Sequence, residues 1–322
     1  MALGIRSIAV SGRARLPLAV ALALCVSTLG FASQPVGSFE RTLPVTGAVD
    51  LEVLTHSGDI TVRTGQSGSV VIRGKIYVSD RWHILPGVEV GGGRKDDVHA
   101  IEQNPPIRQD GNRIQIDYVT VRDIAVDYEI TVPAETAVRT HSGSGDQTIE
   151  GTHGALDVET GSGDVKLANV VGEIHLHTGS GNVRAHEVSG TIRGGAGSGD
   201  IEIEEAGAGD VDLHTGSGNI NVRGLHGTFR GEAGSGDVTA EGNQSGPWEI
   251  RTGSGNVHLR LEANAAFDAD LFTHSGTIDV DSPLEMTVQG RVQEARREIH
   301  GKVRGGGPLL SVRTGSGDIS IQ

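Results

Sequence analysis

Apolar residues occupy alternate positions in short runs along most of this chain, and a glycine-bearing corner closes each run. Val165 and Leu167 alternate with Lys166, and Ile174 and Leu176 alternate with Glu173, His175 and His177. A period of two over so few residues predicts strands with one face turned inward. The corners keep their own period. Ser144-Gly145-Asp146, Ser162-Gly163-Asp164, Ser180-Gly181-Asn182, Ser198-Gly199-Asp200, Ser217-Gly218-Asn219, Ser235-Gly236-Asp237 and Ser254-Gly255-Asn256 follow one another about every 18 residues. A fixed short period marks a repeat architecture. Two strands and two corners per period predict an all-β fold, a parallel β-solenoid (β-helix) of roughly 18-residue two-stranded rungs, each strand beside its equivalent in the next rung.

The corner residues read as structural. Glycine suits a bend that needs positive φ. The side chains of Ser and of Asp or Asn are expected to bond the amides of their own turn. From Asp164 to Asn256 the corners alternate acid and amide, which spaces like charges along a column.

Regularity changes toward both ends. Thr55-His56-Ser57-Gly58-Asp59, followed by Ile60 and Val62, predicts an early rung. Residues 80–110 break the pattern with Gly91-Gly92-Gly93, a charged cluster and Pro105-Pro106, and are expected to be an inserted loop. Ile124 to Val132 is the strongest single strand pattern, ending at Pro133. Residues 289–307 predict a polar, locally basic loop near a C-terminal cap, after which Thr314-Gly315-Ser316-Gly317-Asp318 and Ile319-x-Ile321 close the chain. Ahead of all this, Arg6, Arg13 and Arg15 precede an apolar run from Leu16 to about Leu29. That order predicts a signal peptide over residues 1–32 and an exported solenoid over 33–322, periplasmic or extracellular.

The strand ending in Val132-Pro133, the series of Thr-Gly-Ser-Gly-Asp/Asn corners and the closing Gly-Asp-Ile-x-Ile resemble the bacterial putative-adhesin family of β-strand-repeat domains, over nearly all of residues 39–322. The resemblance implies a β-solenoid in or outside the cell envelope and brings no catalytic residues with it.

Composition narrows the chemistry. Glycine is 49 of 322 residues and aromatics are 3%, so the core must be built from Val, Ile, Leu and Ala. Without the three N-terminal arginines the chain carries 24 basic and 41 acidic side chains, a formal charge of 24 − 41 = −17. That balance disfavours nucleic acid and anionic membrane surfaces. The single Cys25 lies inside the leader, so no disulfide is available after its removal.

Two further chemistries fit less well. A calcium-organised β-roll would need acids at both corners of each rung, and only Ala206-Gly207-Ala208-Gly209-Asp210 gives such a half-period echo. A carbohydrate-active β-helix enzyme would need a cluster such as Asp157, Asp164, Lys166 and Arg184 on one face. Among the 13 histidines, His56, His141 and His274 occupy similar Thr-His-Ser-Gly corners, and His177 and His214 fall two rungs apart, too far for one metal ion. The reading is therefore non-enzymatic, with no cofactor and no metal: an adhesin-like binding or scaffold protein whose partners are envelope glycans or proteins. The candidate binding loops carry Trp82, Arg94, Lys95, Arg296, Arg297 and Lys302.

Overall fold

The computed structural model describes residues 34–78, 92–281, 286–288 and 297–322, all within a compact unit spanning Gln34–Gln322. The expected leader lies outside the described residues, as do Trp82 and Arg296.

The unit is a parallel β-solenoid. Two sheets, of 14 and 13 strands among the described residues, face one another, and each rung gives one strand to each sheet. A rung is identified by its corner residue. The Asp164 rung, for instance, places Leu156–Ser162 in the larger sheet, turns at Gly163, and places Val165–Ala168 in the smaller one. Neighbouring rungs pair in parallel and in register: Leu156 lies opposite Ile174 and Val138, and Val165 opposite Val183 and Gln147. Alternation then sends Val, Ile and Leu of both sheets into one continuous core, as the sequence predicts.

The few aromatics are concentrated in that core. Trp248, Phe229, Phe267 and Tyr128 are almost fully buried, and Phe229 meets Trp248 edge to face at 6.0 Å. Room for them comes from inward-facing glycine: a Cβ on Gly231 would lie 2.8 Å from the Phe229 ring.

Sequential stacking holds from the Asp146 rung to the Asn256 rung, and at both ends the order is exchanged. The Asp59 rung, Val49–Ser57 and Ile60–Thr64, lies between the Asp146 rung and the later strands Arg113–Ile116 and Ile124–Val132. The final rung, Leu309–Ser316 and Ile319–Ile321, slots between Trp248–Ser254 with Val257–Leu261 and the earlier pair Phe267–Ser275 with Ile278–Val280. The last residues of the chain thus hold two rungs together rather than finishing a stack.

Beyond these rungs the pairing turns antiparallel. Gly37–Pro44 and Ser69–Val78 extend the smaller sheet from Ile124–Val132. Ile107–Asp110 and Glu298–Val303 extend the larger sheet at its two ends. The expected loops at 80–110 and 289–307 are corrected accordingly. The described part of the first contains a helix, α1 (Gly92–Gln103), and the strand Ile107–Asp110; the second contains the strand Glu298–Val303. The sequence pattern hid α1 because its apolar contact is confined to Val98 and Ile101. It is fixed to the first strand by Ser38 N donating to Glu102 Oε1 at 2.9 Å and by the Arg41 guanidinium on the carbonyls of Glu102 and Gln103.

Removal of Pro308–Gln322 tests the exchanged end. It deletes Leu310, Val312, Ile319 and Ile321, all fully buried, each worth about 1.5–3 kcal/mol, and separates two rungs. The expected result is loss of the cooperative melting transition, or a drop in Tm beyond 10 °C, roughly, by circular dichroism.

Candidate functional site

The corner motif is a stacking device, and each of its residues has a part. Inward-facing threonines donate through Oγ1 to the corner glycine carbonyl of the neighbouring rung: Thr160 to Gly145, Thr178 to Gly163, Thr215 to Gly199, Thr252 to Gly236 and Thr314 to Gly255, at 3.0–3.3 Å. The corner glycine itself is confined twice over. At Gly181 and Gly199 φ is +157° and +151°, and a Cβ there would lie 2.0 and 1.9 Å from the carbonyl oxygen of the corner glycine one rung back.

The Asp or Asn that follows uses its Oδ1 to accept the backbone N–H of the equivalent residue in the next rung. Asp146 accepts from Asp164, Asp164 from Asn182, Asn182 from Asp200, Asp200 from Asn219, Asn219 from Asp237 and Asp237 from Asn256, at 2.7–3.0 Å. The ladder crosses both exchanged ends, from Asp127 through Asp59 to Asp146 and from Asn256 through Asp318 to Thr277. These bonds run between rungs, so the expected bonding of Asp and Asn to the amides of their own turn is corrected. The seven corner residues singled out in the sequence are therefore brought together as one column.

The alternation of acid and amide has a bonding role as well as an electrostatic one: Asn182 and Asn219 also donate Nδ2 to Asp164 and Asp200 at 3.2 Å. The Asn182 amide holds the Asp164 carboxyl below its ordinary range, and the Thr277 amide and hydroxyl do the same for Asp318. At the other end Asp127 is half-buried, and burial, with the nearby Asp59 charge, raises its carboxyl.

Because every rung stacks in register, outward residues form straight columns on the larger sheet. One column consists of glycine: Gly143, Gly161, Gly179, Gly197, Gly216, Gly234, Gly253 and Gly315. A Cβ at any of these would sit 2.5–2.6 Å from a carbonyl oxygen of the adjacent rung. The column is closed by His56 at one end and His274 at the other. Beside it runs a wall of larger side chains, with His141, Glu159, His177, His214, Glu232, Arg251, Arg313 and Phe272 on successive rungs and one gap at Gly195, over which the His214 ring lies.

The result is an open groove with a backbone floor and this one wall, along a column of rungs that spans about 40 Å at the usual strand spacing. From Gly216 to Gly315 it forms a depression of about 720 Å3, lined also by His214, Glu232, Arg251, Arg313, Phe272 and His274. At the other end Tyr118 stacks on His56 (centroids 4.4 Å apart, planes 20° apart) and meets His141 edge-on at 6.4 Å. Tyr118 also borders a second depression of about 600 Å3 with Asn104, Pro105, Pro106, Arg108 and Asp117. Exposed cross-rung pairs, among them His141 with Glu159 at 3.0 Å and Arg313 with Asp270 at 2.8 Å, order the wall while contributing little stability each.

The other sequence candidates lie apart. Arg94, beside Asp123 at 3.3 Å, and the exposed Lys95 sit on α1. Arg297 and Lys302 sit near the opposite end of the larger sheet, Lys302 at 3.4 Å from Asp268. Asp157 faces outward on the larger sheet, while Lys166 and Arg184 lie on the smaller one with Asp164 at the corner between, so the four do not form one cluster. His177 and His214 do fall two rungs apart, across Gly195. His141 is not equivalent to His56: the register sets it opposite Leu54. Tyr118 and Phe272 were missed, because neither stands in the repeated motif. Among the described residues no three His, Cys, Asp or Glu side chains converge in metal-binding geometry, and no helix is long and apolar enough to cross a membrane.

Fold and groove together define a two-sheeted β-solenoid with a repetitive solvent-facing surface. Residues 40–192 and 170–322 each match the model of the family described as Toastrack DUF4097, and the chain belongs to that family. Two solved structures are similar. One is a putative adhesin from Bacteroides fragilis, at 15% identity over 90% of this chain and 99% of that one, with a TM-score of 0.41. The other is a putative cell adhesion protein from Clostridium sporogenes, at 12% identity over 88% and 98%, with a TM-score of 0.24. No curated protein matches the chain in sequence.

The ladder makes a pH-dependent prediction. Asp164→Ala strands the Asn182 amide and is expected to cost about 1–3 kcal/mol at pH 7 in urea unfolding. Asp164→Asn keeps an acceptor and should cost less than half as much. Because the folded carboxyl lies below its ordinary value, its contribution is present above the usual carboxylate range and fades as pH falls through the folded value. Acidification should therefore narrow the gap between wild type and Asp164→Asn, and a gap constant down to pH 2 would contradict the assignment.

Proposed function

We propose that the protein is a non-enzymatic, exported binding scaffold of the cell envelope or its exterior, adhesin-like in role, whose glycine-floored groove holds an extended glycan chain. The observation that carries the reading is the groove itself. It is long, open and uniform in floor, with aromatic faces at its ends and alternating imidazole, carboxylate and guanidinium groups along its wall.

A sugar ring is apolar on its faces and hydroxylated at its rim, so it suits aromatic stacking at the ends and mixed donors and acceptors along the side. The mixed signs of the wall and the net negative charge disfavour a polyanion. Equal spacing of the rungs supports many weak contacts in series, and affinity arises from their number rather than from one enclosed pocket. The leader-like sequence over residues 1–32 supports export.

Glycan-array and whole-cell retention tests this reading. Tyr118→Ala together with Phe272→Ala is expected to lower retention at least fivefold, roughly, as loss of two aromatic contacts of about 0.5–1.5 kcal/mol each would. Tm should move by less than about 2 °C, since both side chains are partly exposed. Retention unchanged in the double variant would remove the groove as the binding site, and release of shortened glycan would overturn the non-enzymatic reading.

A further inference from the structure

At the second corner of the Asp200 rung, Glu205 occupies a position that its neighbours give to apolar residues. Its register partner is Val188, fully buried, and on the other side Gly224 packs on the Glu205 backbone just before the fully buried Leu225. Glu205 is 6% exposed, and both of its carboxyl oxygens are closed to solvent and accept no hydrogen bond. The backbone amide of His226 faces the carboxyl but falls short of hydrogen-bond geometry. An ionised carboxylate so placed loses its hydration and gains no partner in exchange, and such a group keeps its proton instead.

Among the described residues no cation pairs with it. On the preceding rung His186 and Glu187 are exposed, and the His186 ring is taken by Glu204. On the following rung Arg223 lies 3.6 Å from Glu202, and the His226 ring meets the Gly224 carbonyl at 2.8 Å. Within the corner itself the charge that acts on Glu205 is that of Asp210, of the same sign. Arg193, the cation acting on Asp210, is held by Glu173 at 2.8 Å. Burial, with the Asp210 charge added, pushes the Glu205 carboxyl up to about 7. The segment that follows is weakly tied. Ala206-Gly207-Ala208-Gly209 carries no side chain larger than methyl, and Ala206 and Ala208 are exposed. Two cross-rung bonds fasten it: the Ala206 N–H donates to the Val188 carbonyl at 2.8 Å and the Gly209 N–H to the His226 carbonyl at 3.1 Å.

We propose that Glu205 is a proton latch: the corner from Glu205 to Asp210 stays closed while this carboxyl keeps its proton and opens when it ionises. Opening brings the carboxylate into water and releases both backbone bonds, a local event within an otherwise intact stack. Because the folded carboxyl lies above its ordinary value, its contribution to closure is complete below the ordinary carboxylate range and is lost as pH rises through about 7. The sign is opposite to that of Asp164 at the first corner, whose contribution fades on acidification. The latch sits at the far end of the larger-sheet strands from the glycine column, so it does not depend on the glycan reading.

The test is amide hydrogen exchange of the full-length protein from pH 5 to pH 8, with the protection of each amide referred to its intrinsic rate at the same pH. In the wild type, protection of the Ala206 and Gly209 amides is expected to fall at least tenfold, roughly, across that range, while the first-corner amides of Asp200 and Asn219 hold within about threefold. In Glu205→Gln, which has no proton to lose at this position, the Ala206 and Gly209 amides should also hold within about threefold. Glu205→Leu, which supplies the residue type of the neighbouring Leu225, takes its place if Glu205→Gln does not fold. If neither variant folds, the wild-type profile decides. Protection at Ala206 and Gly209 that is flat or rises with pH, a fall shared equally by the first corner, or an equal fall in either variant overturns the proposal.

Discussion

The whole structure depends on how closely one corner can lie on the next. At each turn the carbonyl of one corner glycine points at the α-carbon of its counterpart, leaving about 2 Å where a Cβ would have to stand. No side chain fits, so glycine is imposed by the neighbouring rung as much as by its own φ. That approach brings the Oδ1 of one rung within reach of the N–H of the next, and the Thr hydroxyl within reach of the glycine carbonyl. Three hydrogen-bonding columns then run side by side through the first corner: backbone ladder, Asp/Asn ladder and threonine ladder. A slip of one residue would break all three at once and turn the apolar face outward, so the register is strongly fixed.

A fixed register turns chemistry into geometry. Each outward position becomes a straight column, and the glycine that permits close stacking also clears the floor of a groove. The groove is thus a by-product of the packing rule, and the particular residues that give it character are those added at its margins. His56 with Tyr118 and Phe272 with His274 bracket a floor that has no side chains. Along the wall the ion pairs are exposed and individually weak. Their effect is to hold long side chains in an ordered row at a small cost in side-chain entropy.

Much of this was legible in the sequence, and the limits have physical causes. The period, the two strands per rung and the corner positions follow from alternation and glycine spacing, and they match the observed register from Asp146 to Asn256. The exchanged ends were not legible, because every corner offers the same acceptor and the same amide. Asp318 accepts from Thr277, a residue 41 positions earlier, with the bond that in the regular stack joins neighbours 18 or 19 apart. Identical corner chemistry specifies that rungs stack but leaves their order open. His141 misled for a related reason: Thr140-His141-Ser142-Gly143 reads like Thr55-His56-Ser57-Gly58, yet Ser57 pairs with Ser144. The local motif repeats with a two-residue shift, and only cross-strand pairing reveals which copy is the corner.

The exchange also bears on how the ends are finished. A parallel stack that simply stopped would present two open sheet edges carrying unpaired amides and carbonyls. Here a rung near each end is clamped from both sides by chain that arrives later or earlier in sequence, and the pairing then reverses into antiparallel strands at both ends of the larger sheet and at one end of the smaller, whose other described edge is the short strand Ile278–Val280. At one end α1 adds Val98 and Ile101 to the core. Antiparallel strands need only short connections and tolerate solvent on one face, so they are suited to closing what parallel rungs cannot. The two family matches, 40–192 and 170–322, each contain one exchanged end and overlap in the regular middle. Corner chemistry that is blind to chain order thus joins rungs adjacent in sequence through the middle and rungs distant in sequence at both ends, with the same bonds.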